Sequence, residues 1–264
     1  MSDKSMDLDK PSSARIYDYF LHGKDNYDVD REAAARIREI WPTVEAGVRY
    51  NRDFMGRAVR ELSALGVRQF FDIGTGIPTQ PNLHQIAQEI NPEARVVYVD
   101  RDPVVLAHAN ALMLSTKQGR VTFIDADLTE PESILAAPKL RETLNLGEPV
   151  ALSLIAVLHF VPDDQDPYKI VHTLMDALPT GSYLVISHIT TDFDPEVMER
   201  ALQTYRASGV FAQSRDREEV AGFFDGYELL DPGVVGVHRW RPGIQPPASH
   251  DPEAGCWAGI ARKR

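Results

Sequence analysis

Apolar positions along this chain fall in two rhythms, and the change from one to the other sets out its organisation. Near the amino terminus they recur every three to four residues, the spacing of a helix packed on one face. Ile16, Tyr17, Phe20 and Leu21 form the first stripe, with Gly23 to stop it. Residues 30–41 form a second helix that Pro42 ends. A third, over residues 43–65, carries Val48, Met55, Val59, Leu62 and Leu65 inward and stops at Gly66. From residue 67 short apolar runs alternate with helical stripes, giving strands near 67–73, 95–100, 120–125, 149–157 and 182–188. Such alternation predicts a parallel sheet covered by helices on both faces. After helices near 194–208 and 215–224, Tyr227–Leu230 and Gly255–Ala261 read as two more strands. The proline-rich, polar segment 241–254 between them reads as a loop. The first dozen residues are expected to be disordered.

The first strand runs straight into a glycine turn. Val67, Phe70, Phe71 and Ile73 lead to Gly74–Thr75–Gly76–Ile77–Pro78. Two glycines let the main chain approach a ligand closely. The place where a dinucleotide fingerprint needs its third glycine holds Thr79. Asp72, two residues before the turn, suits a cationic amine better than a pyrophosphate, which a carboxylate repels. Leu83, Ile86, Ala87 and Ile90 then form an amphipathic helix closed by Asn91–Pro92. The next strand, Arg95–Asp100, ends in a carboxylate at about the 20-residue separation from the turn that suits an acid accepting from ribose hydroxyls. An ordinary turn residue at the strand end is the competing reading of Asp100. Asp102 can cap the following helix, with Pro103 at its first position.

Composition narrows the possible partners. At 264 residues the chain can bury a sizeable core. It carries 28 Lys and Arg against 39 Asp and Glu, a net charge of −11, which argues against nonspecific nucleic-acid binding. His238–Arg239–Trp240–Arg241 is the best candidate for a local basic patch. The single cysteine, Cys256, rules out an internal disulfide framework and a multi-cysteine metal site. Residues 1–13 have no signal-peptide character, and no run reaches the ~20 apolar residues of a membrane span. We expect a soluble, cytoplasmic protein with no membrane partner.

In an open α/β sheet the ligand lies beyond the carboxyl ends of the strands. There the sequence places Asp72 and the glycine turn, Asp100–Arg101–Asp102, and Asp125–Ala126–Asp127–Leu128. The fourth strand ends at Leu158–His159–Phe160 and the fifth at Ser187–His188. Three strand ends offering carboxylates suit an amine, ribose hydroxyls and an adenine amino group, not a diphosphate. The ligand so described is an adenosine joined to a positive charge, and S-adenosylmethionine fits.

The ordered motifs Asp72–Ile73–Gly74–Thr75–Gly76, Asp100, Asp127 and Val157–Leu158–His159 resemble those of class I SAM-dependent methyltransferases. The chain is most similar to one family of that class, the SAM methyltransferases long filed as a domain of unknown function. Its marks are Ala14–Tyr27, Arg49–Tyr50–Asn51–Arg52, Gln69–Pro78, Arg95–Pro103 and Asp231–Val235, covering nearly the whole chain. One departure is His22, where the family pattern leads us to expect glycine. The resemblance implies a Rossmann-like α/β fold: a seven-stranded, mostly parallel sheet with its last strand antiparallel and helices on both faces. Residues 1–66 would form an N-terminal helical lid and residues 67–264 the SAM-binding catalytic domain.

On this resemblance Gly74, Thr75 and Gly76 carry the methionine end of the cofactor, with Asp72 near its amine. Asp100 takes the ribose hydroxyls and Asp127 the adenine, with Asp125 as its competitor and Arg101 or Asp102 flanking. Tyr17, His22, Lys24, Asn26 and Tyr27 belong to the lid, although packing on the sheet edge would explain them too. Arg52 either meets the cofactor's carboxylate or forms a surface ion pair. Leu128, Ala156 and Val157 complete the cofactor-binding set. No metal is expected. If the acceptor must lose a proton, His159 is the candidate base and His188 the second. The acceptor is expected to be a small molecule, O-methylated; the oligomeric state stays open. Two other readings remain: a non-catalytic SAM- or S-adenosylhomocysteine-binding regulator, and an NAD-dependent oxidoreductase.

Overall fold

The structure, a computed structural model, describes residues 8–112 and 114–264. Three helices come first: α1 (Ser13–Phe20), α2 (Asp28–Ile40) and α3 (Val44–Ala64). Strands and helices then alternate through β1 (Gln69–Ile73), α4 (Leu83–Ile90), β2 (Arg95–Asp100), α5 (Pro103–Leu112), β3 (Arg120–Asp125), α6 (Pro131–Ala136) and α7 (Pro138–Thr143). The chain continues with β4 (Ala151–Ile155), α8 (Pro167–Asp176), β5 (Tyr183–Ile189), α9 (Pro195–Ala207) and α10 (Arg217–Gly222). It closes with β6 (Glu228–Leu229), β7 (Val235–Gly236), α11 (Asp251–Ala254) and β8 (Cys256–Arg262).

The sheet order is β3-β2-β1-β4-β5-β8-β6, with β7 also paired to β8. Neighbours from β3 through to β5 are parallel, while β8 runs antiparallel to β5. The described sheet thus has eight strands where seven were expected. The extra one, β7, is two residues long and has no period to read. Alternate side chains on each strand face opposite cores. Phe70, Val96 and Tyr98 join Ile16, Phe20, Ile37 and Phe54 of α1–α3 on one face. Phe71, Val97, Val99 and Leu152 join Leu140, Leu174 and Phe223 on the other. Both faces are buried, as the near-continuous apolar strands require. Strand order reverses where β1 pairs with β4, and a ligand crevice forms at such a switch.

Several expectations change. The first dozen residues are not all disordered: residues 1–7 lie outside the described residues, but Leu8 packs on the core and Ser12 is hydrogen-bonded at both ends. Leu65 and Ile90 do not face inward. They are 51% and 47% exposed, because one follows the last residue of α3 and the other is the last of α4. Segment 241–254 is not loop throughout, since its end folds into a 3-10 turn and α11. The supposed basic patch is tied down: Arg239 bonds Asp251 at 2.7 Å, Arg241 pairs with Glu61, and Trp240 is fully buried. Cys256, at the start of β8, is buried and its thiol is pushed up to about 12 by desolvation. No helix of the described residues is long and apolar enough to cross a membrane.

Candidate functional site

The crevice at the strand-order switch opens into a cavity of about 900 Å³, near the upper end of ordinary small-molecule sites. Its floor is the turn after β1. Gly74 and Gly76 have φ of 76° and 67°, in the left-handed region that other residues reach only at a cost. They differ in what surrounds them. A Cβ on Gly74 would collide with Val157, whereas one on Gly76 would meet nothing within 4 Å and project into open space. Gly74 is therefore needed for packing against the β4 end, and Gly76 for backbone conformation. Ala156, after β4, also takes a positive φ of 53°.

The acids fall where the spacing put them. Asp72 lines the cavity, and burial pushes its carboxyl up to about 6, against the lowering effect of Ser153 and the Arg52 charge. Asp100 accepts from the Gly76 amide at 2.8 Å and the Asp102 amide at 3.0 Å, so it both fixes the glycine turn and faces the cavity. Asp102 caps α5 through the Val104 amide and also accepts from Ser12 Oγ. Asp127 lines the cavity, while Asp125 is exposed and off it. The Arg101 guanidinium and the Thr129 amide and hydroxyl hold Asp127 below the usual carboxylate range despite its partial burial. Those three donors leave one of its roughly four acceptor positions free. Arg52 is not in a surface ion pair. It lines the cavity and donates to the Thr79 and Pro81 carbonyls at 2.7 Å. Leu128, Ala156 and Val157 also line the wall.

Besides Asp125, six residues named from the sequence are not brought to the cavity wall. His22 is exposed and points toward Glu45; it takes φ 59° at the place where glycine was expected. Gly23 is required instead by proximity, since a Cβ there would overlap the Asp18 carboxylate. Asn26 is buried and clamps the loop, donating to Asp18 at 2.7 Å and accepting from Arg31 at 2.8 Å. Tyr27 precedes α2, under the Arg15 guanidinium. His159 is the fourth. The 3-10 turn Leu158–Phe160 places it behind the wall, packed on Phe160 and His188. Desolvation, helped by the Arg215 charge, pulls it down to about 3, so it is neutral at ordinary pH, and it does not line the cavity. That geometry removes it as a base. His188 is likewise buried and spent, bonded to Arg215 and the Ile189 carbonyl. Lys24 is also absent from the wall. Among the described residues no group of three or more His, Cys, Asp or Glu is placed to hold a metal.

Other residues arrive unannounced. Tyr17 does line the cavity, through a buried chain that sequence reading missed. Asn51 Nδ2 donates to the Tyr17 hydroxyl at 2.9 Å. Ser187 Oγ donates to Asn51 Oδ1 at 2.6 Å and accepts from the Ala156 amide at 3.0 Å. One thread thus joins α1, α3, β5 and the β4 turn. Phe160, Val161, Val210 and Phe211 complete the far wall. An apolar Val–Phe pair between Gly209 and polar Gln213 was the available signal for the last two.

A parallel sheet with an antiparallel β8, a GxG turn and an acid at the end of β2 together define a Rossmann-like nucleoside-binding fold. The pattern described as S-adenosyl methyltransferase matches residues 1–264, and the chain belongs to that family, whose cofactor is S-adenosylmethionine. Its fold is similar to that of a DUF574 family protein from Streptomyces avermitilis, at 46% identity over 98% of this chain and 100% of that one, with a TM-score of 0.94. A putative methyltransferase from Thermobifida fusca is 35% identical over 100% of this chain and 98% of its own, with a TM-score of 0.91. No curated protein matches the chain. The NAD reading falls with the family assignment.

The cavity fits the cofactor by its own chemistry. Gly76 leaves open space above the turn, and a buried carboxylate held up to about 6 is one whose charge a ligand's ammonium would relieve.

Proposed function

We propose that this chain transfers a methyl group from S-adenosylmethionine to a small-molecule acceptor. In this reading Gly74–Gly76 and Asp72 hold the methionine end, with Arg52 toward its carboxylate. Asp100 binds the ribose, Asp127 and Leu128 the adenine, with Arg101 and Asp102 beside it, and Val157, Ala156 and Tyr17 close the wall. Residues 1–66 act as the cover and 67–264 as the catalytic body. When bound, the cofactor supplies a methyl carbon on a sulfonium: the acceptor's electron pair makes the new bond, the old pair returns to sulfur, and neutral S-adenosylhomocysteine remains. The protein's part is to orient the two partners.

One observation carries this reading over that of a SAM-binding regulator. The cavity continues beyond the acids of β1–β3 to Phe160, Val161 and residues 209–211, which leaves room for a second molecule. The net charge of −11 supports a small acceptor over nucleic acid.

Two measurements test it. Calorimetry with S-adenosylhomocysteine and NAD should show binding of the first alone, weakened in Asp100→Asn. Methyl-labelled S-adenosylmethionine, incubated with the protein and a cell extract, should then place label in the low-molecular-weight fraction. Label in protein or nucleic acid would overturn the small-molecule reading. Cofactor binding with label in no fraction would favour the regulator.

A further inference from the structure

The cavity wall is electrically divided. Its charged residues sit at the ends of β1–β3, on the amino-terminal arm and α1, and at Arg52. The remaining wall, built by Leu21, Ile155, Phe160, Val161, Val210 and Phe211, carries no charge. Phe211 lies there 40% exposed, a large apolar ring left uncovered at the cavity rim.

The groups with the chemistry of a base beside this wall are all engaged. The Tyr17 hydroxyl is committed to Asn51 and the Val48 carbonyl, and burial pushes it up to about 12. Asp18 is buried and turned to the Asp25 amide and Asn26. Arg15 is paired with Asp30 at 2.9 Å. Lys10, on the arm, has a partner of its own. His159 and His188 lie behind the wall. Asp72, Asp100, Asp102 and Asp127 belong to the cofactor half.

We propose that the uncharged wall binds a neutral aromatic small molecule bearing a phenolic hydroxyl, which gives its proton to water and needs no protein base. The proposal rests on the methyltransferase reading above and deepens it. The wall's rings suit a flat aromatic partner, because ring pairs gain from offset or edge contact beyond area alone. An acceptor with a fixed charge would be desolvated there without a partner. A phenol enters neutral or, once ionised, loses its charge in the transfer itself.

The test uses the S-adenosylhomocysteine-loaded protein and three probes: 2-naphthol, naphthalene-2-sulfonate and a naphthylmethylammonium salt. Naphthol fluorescence should report saturable binding, with both charged probes at least roughly tenfold weaker. Phe211→Asp should weaken naphthol binding by a similar factor and leave S-adenosylhomocysteine affinity unchanged, which also shows that the variant folds. Leu21→Asp provides a second, independent probe of the wall. Charged probes that bind as well as naphthol, or no naphthol binding, would overturn the inference and leave the cofactor reading intact. Failure of S-adenosylhomocysteine to bind would overturn both. With S-adenosylmethionine, 2-naphthol and the more acidic 4-nitrophenol should be methylated with pH profiles displaced by the difference in their own acidities. A common limb for both phenols, or transfer to neither, would overturn the hydroxyl assignment.

Discussion

Asp72 shows how a single buried carboxylate can set the conditions for binding. Its folded pKa, about 6, lies above the ordinary value of 3.8, because burial disfavours the charge more than Ser153 and Arg52 favour it. The sign follows directly. Ionised Asp72 costs the empty fold stability as pH rises from about 4 toward 6, yet only the ionised form attracts an ammonium. We therefore expect S-adenosylhomocysteine affinity to fall as pH drops below about 6, approaching tenfold per unit. Asp72→Asn should bind more weakly with a flatter profile. Calorimetry at a series of pH values checks this; a wild-type affinity unchanged between about pH 5 and 7 would rule it out. The glycines and acids of the cofactor half were legible because each answers to local geometry, a turn or a strand end. Ser12, Asn51 and Phe211 were not, since each depends on elements distant in sequence being folded together. His159 was misplaced for a related reason: its strand-end position was right, but a 3-10 turn rotates it behind the wall.

At the scale of elements, Asp30 ties the arm and α1 to α2. Its carboxylate accepts from the Ser12 and Tyr27 amides, each at 2.9 Å, and pairs with Arg15, 3% exposed against 0% for itself. Removing one charge from such a pair leaves the other buried and uncompensated, a loss of about 3–5 kcal/mol. Asp30→Asn should therefore destabilise strongly in denaturant unfolding and speed tryptic cutting at Arg15. Asp28→Asn is the control. Asp28 pairs with Arg31 in solvent, so the change should fall within about 0.5 kcal/mol. Equal behaviour of the two variants would refute this account of the arm. The main helices and strands were readable because period 3.6 and period 2 each persist long enough to count. Strand β6 falls within the strand read at Tyr227–Leu230, whereas β7, two residues long, exists only because β8 offers it an edge.

Across the whole molecule, the two neutral histidines behind the cavity make the fold sensitive to acid. His159 is pulled down to about 3 and His188 well below its usual range, both chiefly by desolvation. The unfolded chain takes up protons near 6.5 that the native chain refuses, so their contribution to stability is present above that pH and is lost as pH falls toward 3. Melting temperature should decline over that window in wild type and less steeply in His159→Gln. The same variant should keep the pH profile of methyl transfer, since His159 lies off the cavity wall. A profile that loses a limb in His159→Gln would restore it as the base.

The buried Cys256 has a practical consequence. A thiol held up to about 12 and enclosed in β8 does not react with maleimides or aromatic disulfides while the fold is intact. With no other cysteine in the chain, the native protein is a silent background for chemistry at sulfur. A cysteine introduced at Ser13, where the arm enters α1, and paired with one near Phe211, can be tagged with spin labels or dyes without first deleting a native residue. The separation of arm and far wall then becomes a distance read directly in solution, with and without S-adenosylhomocysteine.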